Sequence, residues 1–157
     1  MRLMTALAAT LLCAAPLAAQ NRTPDEQAVL DVVVRLFDAM RTRDTTFMRA
    51  AMDPNARLTS SAVRQGQQVL ESSTINDWIM GVARAPDSLV LIERTWNHEV
   101  RIDDGLATVW TPYAFYIGPR FSHCGVDSFQ LVKSGTAWKI VAVSDTRRRD
   151  RCNEPAR

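Results

Sequence analysis

The chain has 157 residues, with 19 Lys and Arg against 17 Asp and Glu and 46% hydrophobic side chains. That length points to one domain, and the apolar share is enough for a sizeable core. A net charge of +2 gives no general attraction to nucleic acid, and no repeat or low-complexity tract is present.

The first residues read as an export signal. Arg2 supplies the positive start, Leu3 to Leu12 is apolar but too short to span a bilayer, and Ala14, Ala15, Ala18 and Ala19 are small enough for cleavage. A signal peptide over residues 1–19 is expected, leaving residues 20–157 as a single mature domain. Leu12 stands before Cys13 where lipid attachment wants a smaller residue, so lipidation is not expected. Loss of Arg2 leaves 18 basic and 17 acidic residues, a net charge of +1. No later run is long and apolar enough for a membrane-spanning helix. The mature protein is expected to be periplasmic or secreted. Two cysteines remain, Cys124 and Cys152, and an even pair in an oxidising compartment predicts a disulfide. Its closure is worth about 3–4 kcal/mol in the chain-entropy model.

In chain order, Thr23, Pro24 and Glu26 form a capping-box start. Val29, Val33, Leu36, Phe37 and Met40 then follow at helical spacing and predict a helix to about Arg43. A short helix over Thr45 to Met52 is expected to stop at Asp53-Pro54-Asn55. Arg57 to Ser60 and Gln65 to Leu70 read as short strands. Ser72-Ser73-Thr74 caps a third helix, Ile75 to Arg84, with Ile75, Trp78, Ile79 and Val82 inward and Pro86-Asp87 after it.

From Leu89 onward the alternation has a period of two, broken by Asp104-Gly105, Gly118-Pro119 and Ser134-Gly135, as in an antiparallel sheet. A two-residue turn at Asp104-Gly105 pairs Ile102 with Ala107, Val100 with Val109, His98 with Thr111 and Trp96 with Tyr113. That register places Trp96, His98, Val109, Tyr113 and Phe115 on the core face. A turn at Ser134-Gly135 pairs Leu131 with Trp138, Phe129 with Ile140 and Asp127 with Ala142. His123, Asp127, Phe129 and Leu131 then share one face. The basic tail from Arg147 to Cys152 reads as a solvated strand end, so no nucleic-acid partner is expected.

This order of elements resembles the nuclear transport factor 2-like fold, in particular secreted bacterial SnoaL-like and lumazine-binding-type domains. The stretches that carry the resemblance are VWTPYAFY (Val109 to Tyr116), SHCGVDSFQL (Ser122 to Leu131) and WKIVAVSDTRR (Trp138 to Arg148), within a span from about Thr23 to Arg147. The resemblance implies an α+β fold, a cone-shaped roll of strongly bent antiparallel sheet wrapped around three N-terminal helices. It also implies a pocket on the concave face, where enzymatic members place an Asp or a His as acid or base. The scaffold hosts isomerases, dehydratases, hydrolases and binders, so fold alone does not select among them.

Asp127, on an apolar face, is either a general base with a raised pKa or a structural aspartate bonded to His123, His98, Arg94 or a backbone amide. His123 lies four residues away, about 13 Å along an extended strand, and touches Asp127 only if Cys124-Gly125 bulges. His98 and His123 are the acid/base partners expected for Asp127, and Tyr113 is a candidate hydrogen-bond donor to a ligand carbonyl. Met40, Trp78, Trp96, Phe115 and Phe129 are expected to line the pocket, suited to a small hydrophobic or aromatic ligand. No metal and no cofactor are expected, because the His and Asp spacing matches no metal signature. Leu89, Leu91, Trp110, Pro112 and Tyr116 predict an apolar patch on the outer sheet face, and so a homodimer through it. Three readings stay open: a binding domain without turnover, a cofactor-independent acid/base enzyme, and a non-catalytic association module.

Overall fold

The computed structural model describes residues 22–156, so the expected signal peptide lies outside the described residues. Helix α1 (Pro24–Thr42) starts at the expected capping box. Thr23 Oγ1 accepts from the Glu26 N–H at 3.2 Å, and Glu26 Oε2 accepts from the Thr23 N–H at 2.7 Å. The helix ends at Arg43, which takes the left-handed conformation (φ 58°). The Arg43 guanidinium then donates to the carbonyls of Pro86 and Leu89, at 2.6 and 2.9 Å, and ties down a distant loop.

Helix α2 (Thr45–Ala51) is capped by Asp44 and is one residue shorter than expected. Met52 is already extended and opens β1 (Met52–Arg64), so Asp53-Pro54-Asn55 is the irregular start of a strand rather than a loop. Gln65 and Gly66, both at positive φ, form the hairpin turn, and β2 (Gln67–Thr74) returns from it. Gln65 therefore belongs to the turn and not to the strand. Helix α3 (Ile75–Arg84) follows, with Thr74 Oγ1 accepting from the Asp77 N–H at 3.1 Å.

The remaining strands are β3 (Leu91–Thr95), β4 (Glu99–Asp103), β5 (Leu106–Ile117), β6 (Arg120–Ser134) and β7 (Ala137–Arg147). They complete one seven-stranded sheet of order β2-β1-β7-β6-β5-β3, with β4 also on β5. Every pair is antiparallel except β1 with β7. The fold is α+β, three helices against a curled sheet. Val29, Val33, Leu36 and Met40 of α1 pack with Val109, Phe129, Leu131 and Ile140 of the sheet. The rings of Phe37 and Phe129 meet edge to face at 5.8 Å. Burial of this kind is the main driving term for the fold.

Two irregularities decide which side chains reach the concave face. Val100 pairs with Val109 as expected, but Tyr113 pairs with Thr95 and not with Trp96. One extra residue sits at the β3–β4 junction, where Asn97 has φ 49°. A one-residue insertion exchanges the two faces of a strand. Along β3 it is therefore Leu91 and Glu93 that turn inward, while Trp96 and His98 stay in the junction. The second irregularity lies in β7. The turn after β6 is Gly135-Thr136, so Leu131 pairs with Ile140 rather than Trp138. Gln130 then pairs with Ala142, which leaves Val141 as a bulge. Beyond it Phe129 faces Val143, and Asp127 faces Asp145 instead of Ala142. The bulge turns Val143, Asp145 and Arg147 toward the cavity.

Cys124 and Cys152 are bonded, with Cα atoms 5.8 Å apart. Arg148 also exchanges two backbone hydrogen bonds with Cys124, each of 2.9 Å. The tail so fixed lies on the convex face, where Glu154 meets Arg94 at 3.0 Å and the Tyr116 hydroxyl at 2.5 Å. The expected outer apolar patch is smaller as a result. Trp110 is 50% and Leu89 40% exposed, but Tyr116 is engaged by the tail and Leu91 faces inward.

Candidate functional site

A cavity of about 320 Å³ lies between α1, α3 and the concave side of β3, β5, β6 and β7. That is the lower end of the range for small-molecule sites. The helices contribute only uncharged groups, among them Phe37 and Met40 from α1 and Trp78 and Val82 from α3. The sheet contributes Phe115 and Phe129, together with every polar group: Glu93, Tyr113, His123, Asp127, Asp145 and Arg147. The cavity thus has an apolar wall of helix and a polar wall of strand.

On the polar wall, the carboxyls of Glu93 and Asp127 both border the cavity and interact with one another. Two carboxylates both accept and neither donates, so a hydrogen bond between them requires a proton. Asp127 is 4% exposed, and its Oδ2 receives no hydrogen bond from any nitrogen or hydroxyl among the described residues. Burial first, and then the neighbouring Glu93 charge, hold the Asp127 carboxyl well above the usual range. Burial pushes Glu93 up to about 7, with Asp145 adding to the effect and the bond to Asp127 opposing it. The two carboxyls are coupled, both are raised, and they titrate as a pair. Near neutral pH the pair therefore exchanges a proton with its surroundings.

Asp145 is built differently. Its Oδ1 accepts from Ser60 Oγ at 2.5 Å, and its Oδ2 accepts from Arg147 Nε at 2.7 Å and from the Tyr113 hydroxyl at 3.2 Å. It is a satisfied anion, neutralised by Arg147. The Tyr113 hydroxyl has one hydrogen, shared between Asp145 and the carbonyl of Thr146 at 3.0 Å. Tyr113 therefore points inward as expected, but its proton is engaged within the protein rather than offered to a ligand. Its reach depends on Gly125, the residue paired with it on β6. A Cβ at Gly125 would sit 1.7 Å from the Thr146 oxygen and 2.9 Å from the Tyr113 ring. Gly125 is a gap that the tyrosine ring leans across, and pairing runs through Cys124-Gly125 without a bulge.

His123 lines the cavity beside the rings of Tyr113 and Phe115, with centroids at 5.6 and 5.2 Å. Its Nδ1 lies 3.0 Å from Ser122 Oγ, and no hydrogen bond joins it to Asp127. Burial lowers its pKa, so the ring is neutral at pH 7. His98 is not in the cavity. Its Nε2 lies 3.0 Å from Thr95 Oγ1, and burial lowers its pKa as well. Trp96 is likewise outside the lining, with its backbone bonded to Thr111 and Pro112. Arg94 points away from Asp127, to Glu154. Of the expected lining residues, Met40, Trp78, Phe115 and Phe129 do border the cavity. Glu93, Asp145 and Arg147 were not expected there, because unbroken alternation puts each on the opposite face. Among the described residues, no group of three His, Cys, Asp or Glu stands in a metal-holding arrangement.

No family model matches the chain, and no curated protein sequence matches it. Solved structures do. One is a nuclear transport factor 2-like protein from Cytophaga hutchinsonii, with a TM-score of 0.64 and 15% identity over 80% of this chain and 100% of that one. Another is a proposed dehydratase of the same fold family from Streptomyces avermitilis, with a TM-score of 0.59 and 13% identity over 79% and 96%. A third is the β subunit of a proposed aromatic-ring-hydroxylating dioxygenase from Novosphingobium aromaticivorans, with a TM-score of 0.65 and 9% identity over 81% and 91%. With these similarities over about four fifths of its length, the chain has the nuclear transport factor 2-like fold.

Proposed function

We propose that the protein is an exported small-molecule-binding domain whose cavity seats a small, largely apolar ligand. One polar group of that ligand rests on the Glu93–Asp127 pair. The observation that carries this reading is a buried Asp127 carboxyl with an unpartnered oxygen, beside Glu93, on the wall of an open, aromatic cavity of about 320 Å³. A buried pair of acids costs stability. Its presence in a cavity that uncharged residues could line is the mark of a site rather than of a core. Similar folds described as a dehydratase and a dioxygenase subunit support the reading at the level of scaffold. Export is supported by the Cys124–Cys152 disulfide, a bond that persists in oxidising compartments. The test is native mass spectrometry of the protein purified from its own host. A retained small molecule, lost in a variant with Gly81→Phe at the cavity wall, is expected. A bare chain whose melting temperature also ignores a broad apolar fragment library overturns the reading.

The same pair favours a second reading, cofactor-independent acid/base catalysis on an apolar carbonyl or cyclic substrate. One carboxyl of the pair gives a proton and the other takes one, both raised toward the range where general acid and base catalysis is most effective. His123, neutral and at the cavity wall, is available as a relay. Deuterium uptake by the bound molecule in heavy water, lost in Asp127→Asn, separates turnover from binding. Association through the convex face around Trp110 is also proposed. Light scattering that shows a monomer at micromolar concentration removes it.

A further inference from the structure

We propose that the ligand is a cation: an apolar or aromatic amine, about ten to fifteen non-hydrogen atoms in size, with its nitrogen on the Glu93–Asp127 pair. This rests on the binding reading above and names the class of ligand. Charge and hydrogen bonding around the cavity both point to it. Three carboxyls, Glu93, Asp127 and Asp145, face one guanidinium, Arg147. The helices and β1 bring no charged group to the lining, His123 is neutral, and Tyr113 is a neutral phenol. Asp145 and Arg147 cancel each other at 2.7 Å. What remains uncompensated is the Glu93–Asp127 pair, in which Asp127 Oδ2 is buried with no hydrogen-bond partner among the described residues.

A ligand that completes this pair must donate. An ammonium donates up to three hydrogen bonds, accepts none, and brings the missing charge. A carboxylate ligand would instead have to rely on Arg147, whose charge is already matched. The aromatic surroundings agree. Phe115 is the cross-strand neighbour of Glu93, and its ring lies against His123. Aromatic faces stabilise a cation that has left water. The proton balance is simple: an amine bound as ammonium leaves Glu93 as carboxylate, and the proton that Glu93 carried at lower pH is released to solvent.

Calorimetry with three matched probes tests the proposal: 4-phenylbutylamine, 4-phenyl-1-butanol and 4-phenylbutyrate. At about pH 8 the amine is expected to bind at least tenfold more tightly than the alcohol, and the butyrate more weakly than either. Near pH 5.5 Glu93 is protonated, and the amine preference is expected to fall to about threefold or less. Glu93→Gln, checked by its melting curve, is expected to bring the amine-to-alcohol ratio near one. If that variant does not fold, the pH series on the unchanged protein decides. Alcohol binding as tight as the amine, or butyrate tighter than both, overturns the cation and leaves the binding reading standing. Absence of binding by all three sinks both.

Discussion

Replacing Glu93 with glutamine changes how stability depends on pH, and the size of the change follows from the site. In the folded protein Glu93 titrates at about 7 against an ordinary value of 4.5. The folded state therefore holds a proton that the unfolded state has lost. Where the folded form binds more protons, stability falls as pH rises. The contribution is fully present below about pH 4.5, declines through the interval, and is gone above about pH 7. At about 1.4 kcal/mol per pH unit, the whole interval corresponds to roughly 3 kcal/mol. Glu93 is partly exposed, and solvent screening lowers the figure to about 2 kcal/mol. For a domain of this size that is about 7 °C in melting temperature. Glutamine keeps the shape, donates to Asp127 at any pH, and does not titrate. Between about pH 5 and pH 8, the melting temperature of Glu93→Gln minus that of the unchanged protein should rise by several degrees. Differential scanning calorimetry at matched ionic strength measures it, and titrating groups outside the Glu93–Asp127 pair cancel in the difference. A flat difference across that range refutes a protonated pair.

Other expectations follow from the same geometry. Asp127→Ala should destabilise more than Asp127→Asn, by about 1–2 kcal/mol in denaturant titration, because asparagine can still bond Glu93; equal midpoints contradict a bonded carboxyl. Gly125→Ala forces a Cβ onto the Thr146 carbonyl, so a loss of about 3 kcal/mol or more, or failure to fold, is expected; near-native melting would show that the Tyr113 crossing is loosely packed. Tyr113→Phe removes one buried donor from Asp145 and Thr146 and should cost about 1–2 kcal/mol without altering amine affinity. Cys152→Ser should lower stability by about 3 kcal/mol for a separation of 28 residues and free the tail from Tyr116, seen as faster proteolysis after Arg148.

Much of the fold was legible because its signals are local. The capping box at Thr23 and Glu26, the turn at Asp104-Gly105 and the helical stripe from Val29 to Met40 are each set by neighbours in sequence. So is the inward face of β6, where alternation from His123 to Leu131 runs unbroken. The site was less legible for a single physical reason. Glu93 lies beyond the extra residue at the β3–β4 junction, and Asp145 and Arg147 lie beyond the bulge at Val141. Period-two reading carried past either point assigns the wrong face to everything that follows. It brought His98 and Trp96 inward in place of Glu93, and it placed Asp145 outside. Asn97, the one residue at positive φ in that stretch, is a weak cue for the first. Nothing in Val141 marks the second. The partner of Asp127 could not be found without that register, and a carboxyl is not the partner that pairing rules suggest for a buried carboxyl.

The account stands on a proton held between Glu93 and Asp127. Carbon-13 NMR of selectively labelled Asp and Glu carboxyls, followed from about pH 4 to pH 10, observes it directly. The account predicts one Glu resonance with a midpoint near 7 and one Asp resonance also displaced well above the usual range, the Asp resonance altered by Glu93→Gln. Ordinary, independent titration of every Asp and Glu below about pH 5 would contradict it.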